Sequence, residues 1–325
     1  MAGYTLKLSI YTVALKDGQK NDATFRLLHK AIADSNEMSK AEMFRTVKDK
    51  FLDSFSEQFV LNYDRTKGIA IKQINTIPTM NTIDGMMMGG FTGIEQEVYN
   101  TSSSEEIQDT ITEDKVTALP YYFKIWMPYD SSVGIVMIQS YTETGVVSLV
   151  MEKIKNFIRS YNFSVLPNKF VNEEYKEHFK RFSTVDKLVL TKTHLSSDAR
   201  GALNRMFARF EGLKVEIKLS GFNVSIDEFW QQINNTQRPL GVNLSEFEMN
   251  ERENYDVIAT YKDASGKQSQ ARLSRNFDFT PTIILDSALK EQGKEYPNYE
   301  RIQTHTNTIL TRVKQEIGYG AIEVE

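Results

Sequence analysis

Leu119-Pro-Tyr-Tyr-Phe-Lys-Ile-Trp126 runs through the turn residues Pro128-Tyr-Asp-Ser-Ser132 into Val133-Gly-Ile-Val-Met-Ile-Gln139. The first stretch is rich in aromatic and β-branched side chains, which suit a pleated, packed surface, and it predicts a strand. The turn and the second apolar stretch make an antiparallel hairpin, and the recurrence of Val146, Val150, Ile154 and Phe157 after Gly145 predicts a helix. Hairpin followed by helix, rather than strict strand–helix alternation, indicates an α+β protein.

Working outward, Tyr4, Leu6, Leu8 and Ile10 alternate as on a half-buried strand. Asn21-Asp22 is the expected cap of a helix carrying Phe25, Leu28 and Ile32. Ser39-x-x-Glu42 has the spacing of a capping box for a second helix with Met43, Val47 and Phe51 inward. Residues 59–63 and 68–74 read as a hairpin around Asp64–Gly68. Residues 75–117, with Pro78, four glycines and a Thr-Ser-Ser-Ser-Glu-Glu run from Thr101, read as an irregular, mobile excursion. The Met86-Met-Met88 run inside it suggests an adaptable apolar contact, because methionine repacks easily.

Pro167 opens a second unit. The pattern predicts a charged helix at 171–182, a strand at 187–192, a helix at 197–211 stopped by Gly212, and a strand at 213–219. A helix follows at 225–233, then a loop with Pro239 and Gly241. Next comes a hairpin of 255–262 and 268–275 turned at Asp263-Ala-Ser-Gly266, and a long helix of about 297–317 ends at Gly318. The expected architecture is therefore two mixed α/β units, 1–165 and 166–325, with antiparallel hairpins and a long C-terminal helix.

The 325 residues include no cysteine, which removes disulfides, thiolate metal sites and cysteine nucleophiles and fits a reducing cytoplasm. His29, His178, His194 and His305 form no i, i+3 or i, i+4 pair, so no helical metal pair is expected. There is no Gly-x-Ser-x-Gly elbow. Met88-Gly-Gly-Phe-Thr-Gly93 lacks the Gly-Lys-Ser/Thr ending of a phosphate loop. No cofactor, metal or catalytic residue is expected. One nuclease-like alternative stands: Asp198 with Glu216-Ile-Lys218, two carboxylates for a divalent metal and a lysine to polarise water. A protein-interaction scaffold without nucleic acid is the other alternative.

Net charge is −4, but it is unevenly spread. Residues 1–150 carry 14 basic and 19 acidic side chains, residues 151–220 carry 14 and 8, and residues 221–325 carry 11 and 16. The positive middle points to phosphate. On the expected 197–211 helix, Leu203, Met206, Phe207 and Phe210 form an apolar face, and Arg205 and Arg209 lie one turn apart on another. Lys214 and Lys218 point to the outer side of the next strand, and Lys262 and Arg272 share a hairpin face. These six are the expected contacts to double-stranded DNA, without sequence readout.

Three features resemble the RexA phage-exclusion proteins and the wider group that includes RdgC. They are Lys214-Val-Glu-Ile-Lys-Leu219 with Phe222, Asp256 with Lys262-Asp-Ala-Ser-Gly266, and the long helix ending Lys314-Gln-Glu-Ile-Gly318. The resemblance covers about half the chain. It implies a non-enzymatic, DNA-binding homodimer, the cytoplasmic sensor of an anti-phage pair whose partner is a membrane protein. It also implies that Asp256 lies near a domain hinge, and that Thr260 stands where the family carries a basic residue. The aromatic strand Tyr121–Trp126, which could pair or pack across a two-fold axis, is a second reason to expect a homodimer.

Overall fold

The computed structural model describes residues 4–55, 58–77, 80–141, 145–229, 231, 247–249, 255–262, 268–273, 281 and 283–319. The chain is α+β. It divides into one unit of Met1–Phe170 with Ile283–Glu325, and a second of Val171–Thr282.

The first unit is built on an eight-stranded antiparallel sheet. Its strands are β1 (Leu6–Lys16), β2 (Val60–Leu61), β3 (Lys67–Ile77), β4 (Thr82–Phe91), β7 (Thr117–Trp126), β8 (Val133–Tyr141), β9 (Ser164–Phe170) and β14 (Ile283–Ile284). The order is β14-β1-β8-β7-β4-β3-β2, and β9 also pairs with β1. Between β4 and β7 the chain makes a separate two-stranded arm of β5 (Gln96–Asn100) and β6 (Ser103–Ile111). The helices are α1 (Phe25–Ala33), α2 (Lys40–Asp53), α3 (Val147–Arg159) and α6 (Tyr299–Glu316); the second unit holds α4 (Glu173–Phe182) and α5 (Ser197–Leu203).

Strand β7 has neighbours on both edges and is buried on both faces, which is why Tyr121–Trp126 is a continuous apolar run rather than an alternating one. Its interior position removes the expectation that this strand pairs across a two-fold axis. Phe25, Leu28, Phe44, Val47 and Phe51 are fully buried between helices and sheet, and Phe51 meets Phe157 edge-on at 5.3 Å. The capping box forms as its spacing predicts: Ser39 accepts from the Glu42 backbone, and the Glu42 carboxylate accepts from the Ser39 backbone. Helix α1 is instead preceded by Thr24, while Asp22 pairs with Lys16 at 2.9 Å.

Residues 75–117 are not an irregular excursion. Thr82–Phe91 is a buried strand between β3 and β7, and the methionine run lies in it. Its glycines serve close packing. A Cβ on Gly90 would stand 1.7 Å from the Thr117 carbonyl oxygen, and one on Gly85 2.0 Å from that of Gln73. Glycine here admits backbone rather than providing a flexible loop.

The division of the chain also differs from a break at 165. Residues 283–325 return to the first unit, because β14 pairs with β1 and α6 docks on β4 and β7 through buried polar groups. Asp84 and Lys124 are direct cross-strand partners, both fully buried, with Nζ 3.2 Å from Oδ2. Tyr299 and Gln303 donate to Asp84 Oδ1 at 2.7 and 2.9 Å, and Lys124 donates to Asn307 Oδ1. The Tyr122 hydroxyl meets that of Thr306 at 2.9 Å. Burial lowers the Lys124 pKa while Asp84 opposes that shift, and burial together with the Asp84 charge raises the Tyr122 pKa. Helix α6 starts at Asn298, whose side chain accepts from Arg301 N. It closes at Gly318 (φ 75°), with Tyr319 N donating to Lys314 O at 2.8 Å.

In the second unit four antiparallel strands take the order β11-β10-β12-β13: β10 (Thr184–Lys192), β11 (Val215–Ser225), β12 (Asp256–Lys262) and β13 (Gln268–Arg272). Val185, Leu188, Leu190, Val257, Ala259 and Tyr261 form its core with Phe179 of α4 and with Ile226 and Phe229 of a helical turn at 226–229. The turn expected at Asp263–Gly266 and the loop with Pro239 and Gly241 lie outside the described residues.

Two stability tests follow from the first unit. Lys124→Ala leaves Asp84 buried beside an empty site and is expected to cost about 3–5 kcal/mol; Asp84→Leu with Lys124→Met should recover most of that loss. Urea midpoints measure both, and an unperturbed Lys124→Ala midpoint would show that the pair does not hold α6. The second test concerns His29, which is fully buried among Phe25, Phe44 and Tyr129 with both ring nitrogens unpartnered. Burial lowers its pKa from 6.5 to about 4. The neutral ring is the folded form, so the unfolded chain takes up the proton first as pH falls. Stability is expected to decline from about pH 6.5 to about pH 4 by an amount on the order of 3 kcal/mol. His29→Phe should flatten that limb of the denaturation midpoint against pH, and an equally steep limb would assign it to other groups.

Candidate nucleic-acid interface

The core of the second unit lies on one face of its sheet. Alternation then sends the other residues to the opposite face. The register aligns them in rows: Lys218 beside Val189 and Ile258, with position 272 beyond; Ser220 beside Lys187, Thr260 and Gln270; Glu216 beside Thr191 and Asp256. The expected outward direction of Lys214 and Lys218 is found, since both are exposed while Val215, Ile217 and Leu219 pack against the core. The register sets positions 262 and 272 four residues apart in alternation, so the shared hairpin face holds at the level of the backbone.

Charge on this face is mixed. Lys214 Nζ lies 3.0 Å from Glu216 Oε2, and both side chains are about half exposed. Lys262 Nζ lies 3.7 Å from Asp186 Oδ2, which also accepts from Gln268 Nε2 at 3.2 Å. Asp186 reaches them because the register shifts between Val185 and Lys187, the insertion of one extra residue that defines a β-bulge. Thr260 is buried in the middle of the face with its hydroxyl unpartnered. Lys187 stands next to it on β10. Lys187 was not among the expected contacts. The signal in the sequence was the second alternation of β10, Lys187, Val189 and Thr191, set against the apolar Leu188 and Leu190.

The 197–211 helix is corrected by the structure. Helix α5 stops at Leu203, because Asn204 is extended (φ −164°, ψ 132°) and its side chain accepts from Met206 N at 2.9 Å. That is the local competition by which asparagine ends helices. A short 3₁₀ turn then covers Phe207–Arg209. Arg205 and Arg209 are both exposed but do not share a helix, so the one-turn spacing expected of them is absent. The expected apolar face is not buried either: Met206 is 60% and Phe210 53% exposed. What holds the segment is Arg200, buried, donating from Nη1 to the Phe210 carbonyl at 2.7 Å.

Asp256 begins β12 inside the four-stranded sheet, and the chain passes between the two units at 170/171 and 282/283. Asp198 occupies the exposed first turn of α5, after Ser196 caps Ala199 N at 3.1 Å. Glu216 and Lys218 share a face, as a nuclease strand requires, but Glu216 is engaged by Lys214. Among the described residues no three His, Asp or Glu side chains group to hold a metal ion, and no helix is long and apolar enough to cross a membrane. No protein-family model matches the chain, and a search of curated proteins finds no match.

Arg200→Ala removes the bond that ties Phe210 back to α5. Amide exchange over 204–212 is expected to rise about tenfold or more, in line with roughly 1.5–3 kcal/mol for a charged hydrogen bond. Exchange in β10 should be unchanged. Equal protection of 204–212 in both proteins would show that the segment is held by other contacts.

Proposed function

We propose that the second unit binds double-stranded DNA without sequence preference through the outer face of its four-stranded sheet. One observation carries the reading: α4 and the 226–229 turn cover one face, while the other gathers Lys187, Lys218, Lys262 and the adjacent Lys214 among the hydroxyl and amide groups of Thr191, Ser220 and Gln270. Lysines deliver charge to phosphate, and short polar side chains hydrogen-bond to it while carrying no base information. Lys214 and Lys262 exchange a carboxylate for a phosphate on binding, so their net gain is small. Lys218 and Lys187 contribute more. Arg205 and Arg209, exposed on the connection from β10 to β11, extend the basic surface, and Arg272 belongs to it by register.

The resemblance to RexA-like proteins supports a wider role, that of a homodimeric DNA-binding sensor in a phage-exclusion pair with a membrane-protein partner. In that role the chain acts by occupying DNA rather than by cutting it.

The test is duplex binding across a salt series, with and without magnesium. Wild type should bind at about 50 mM salt, with affinity falling steeply as salt rises. Lys187→Ala and Lys218→Ala should each reduce the salt slope by about one, and Glu216→Gln should tighten binding. Arg205→Glu with Arg209→Glu should weaken it on every sequence alike. No binding by the folded wild type at low salt would end the DNA reading. Magnesium-dependent cleavage lost in Glu216→Gln would replace it with the nuclease.

A further inference from the structure

The arm between β4 and β7 is unlike the rest of the first unit. The chain leaves the sheet at Phe91 and returns at its partner Thr117, and between them β5 and β6 pair as a separate sheet of two strands. Two-stranded hairpins are marginal in water and are normally completed by packing. This one exposes its apolar side chains: Ile94 is 66% exposed, and Val98, Tyr99 and Ile107 are exposed as well, with Tyr99 directly opposite Ile107. Residues 94–114 contain seven acidic side chains (Glu95, Glu97, Glu105, Glu106, Asp109, Glu113 and Asp114) and no basic one.

That composition selects what can cover the arm. Pairing arm against arm would set like charges across a shared edge, the arrangement by which proteins prevent strand association. The occupant must combine apolar and basic groups. The second unit offers such a surface at 203–210, where Leu203, Met206 and Phe210 are exposed beside Arg205 and Arg209, with no acidic residue in the run.

We propose that the β5–β6 arm of one copy docks on the 203–210 segment of a second copy, and that the reverse contact closes a two-fold dimer. Each surface is then used once per chain, as a closed isologous assembly requires. Tyr99 and Ile107 meet Met206 and Phe210, and the arm's carboxylates meet Arg205 and Arg209. Insofar as the DNA reading holds, the arm and the duplex compete for those two arginines, so the dimer contact restrains DNA binding.

The absence of cysteine makes the contact directly readable. Ser102→Cys, in the turn at the arm's tip, is labelled with a benzophenone maleimide in full-length unlabelled chain. This protein is mixed with ¹⁵N-labelled chain, irradiated and digested. The expected products join the arm peptide to ¹⁵N peptides spanning 203–218. They should be lost at about 1 M salt, where charges are screened within a few ångströms. They should also be lost with the arm variant Glu95→Gln, Glu97→Gln, Asp109→Asn, Glu113→Gln and Asp114→Asn. Sedimentation should follow the same course, from dimer to monomer, with circular dichroism confirming the folded variant. Cross-links confined to one chain, or to the first unit, or unchanged in the neutralised arm, would overturn the proposal. Duplex binding by the same variant separates the two readings. Affinity about tenfold above wild type supports competition. No DNA binding by either protein, with the cross-links intact, defeats the DNA reading and leaves the docked dimer standing.

Discussion

The buried Asp84–Lys124 pair is the constraint on which the first unit depends. A carboxylate and an ammonium removed from water are tolerated only when paired and hydrogen-bonded. Here β4 and β7 bring the two together, and the remaining partners, Tyr299, Gln303 and Asn307, come from a helix more than 170 residues further on. The pair therefore requires α6. A sheet face with Asp84 and Lys124 left uncovered would admit water among Tyr122, Trp126 and the methionines. This explains why the chain's last segment belongs with its first and why the second unit is an insertion between β9 and β14.

The same sheet shows how tightly backbone can be packed when side chains are absent. Gly85 and Gly90 let β4 lie against neighbours whose carbonyls occupy the space of a Cβ. The methionines of β4 are then available to fill irregular gaps beside Tyr121 and Tyr122, a use suited to an unbranched, polarisable side chain. The arm, whose two strands lack this support, is correspondingly open to solvent on both faces.

The second unit balances charge differently. Its outer sheet face carries lysines, yet Glu216, Asp186 and Asp256 are interspersed, and two of the lysines are already paired. In the proposed reading such a face would attract phosphate moderately and in a salt-dependent way, since exposed pairs are worth little and exchange readily.

Much was settled by the sequence itself. Alternation in Leu213–Leu219 determined which side chains of β11 face out, because a strand has a period of two whatever surrounds it. The spacing of Ser39 and Glu42 determined the start of α2, and Gly318 the end of α6, because caps are satisfied within a turn of chain. Six expected contact residues were legible as basic positions on successive elements. Their grouping was not. Whether 197–211 runs on as one helix was decided by tertiary structure, since Leu203, Met206 and Phe210 of its apolar stripe stay exposed and Asn204 and Arg200 offered the backbone other partners. Whether 82–91 is loop or strand was likewise decided by neighbours: glycine and methionine carry little local preference, and only β3 and β7 on either side give them a sheet to complete. Alternation recorded which way Lys187 and Thr260 point on their own strands, but their meeting in one row came only through the pairing of β10 with β12, a relation between residues some seventy positions apart.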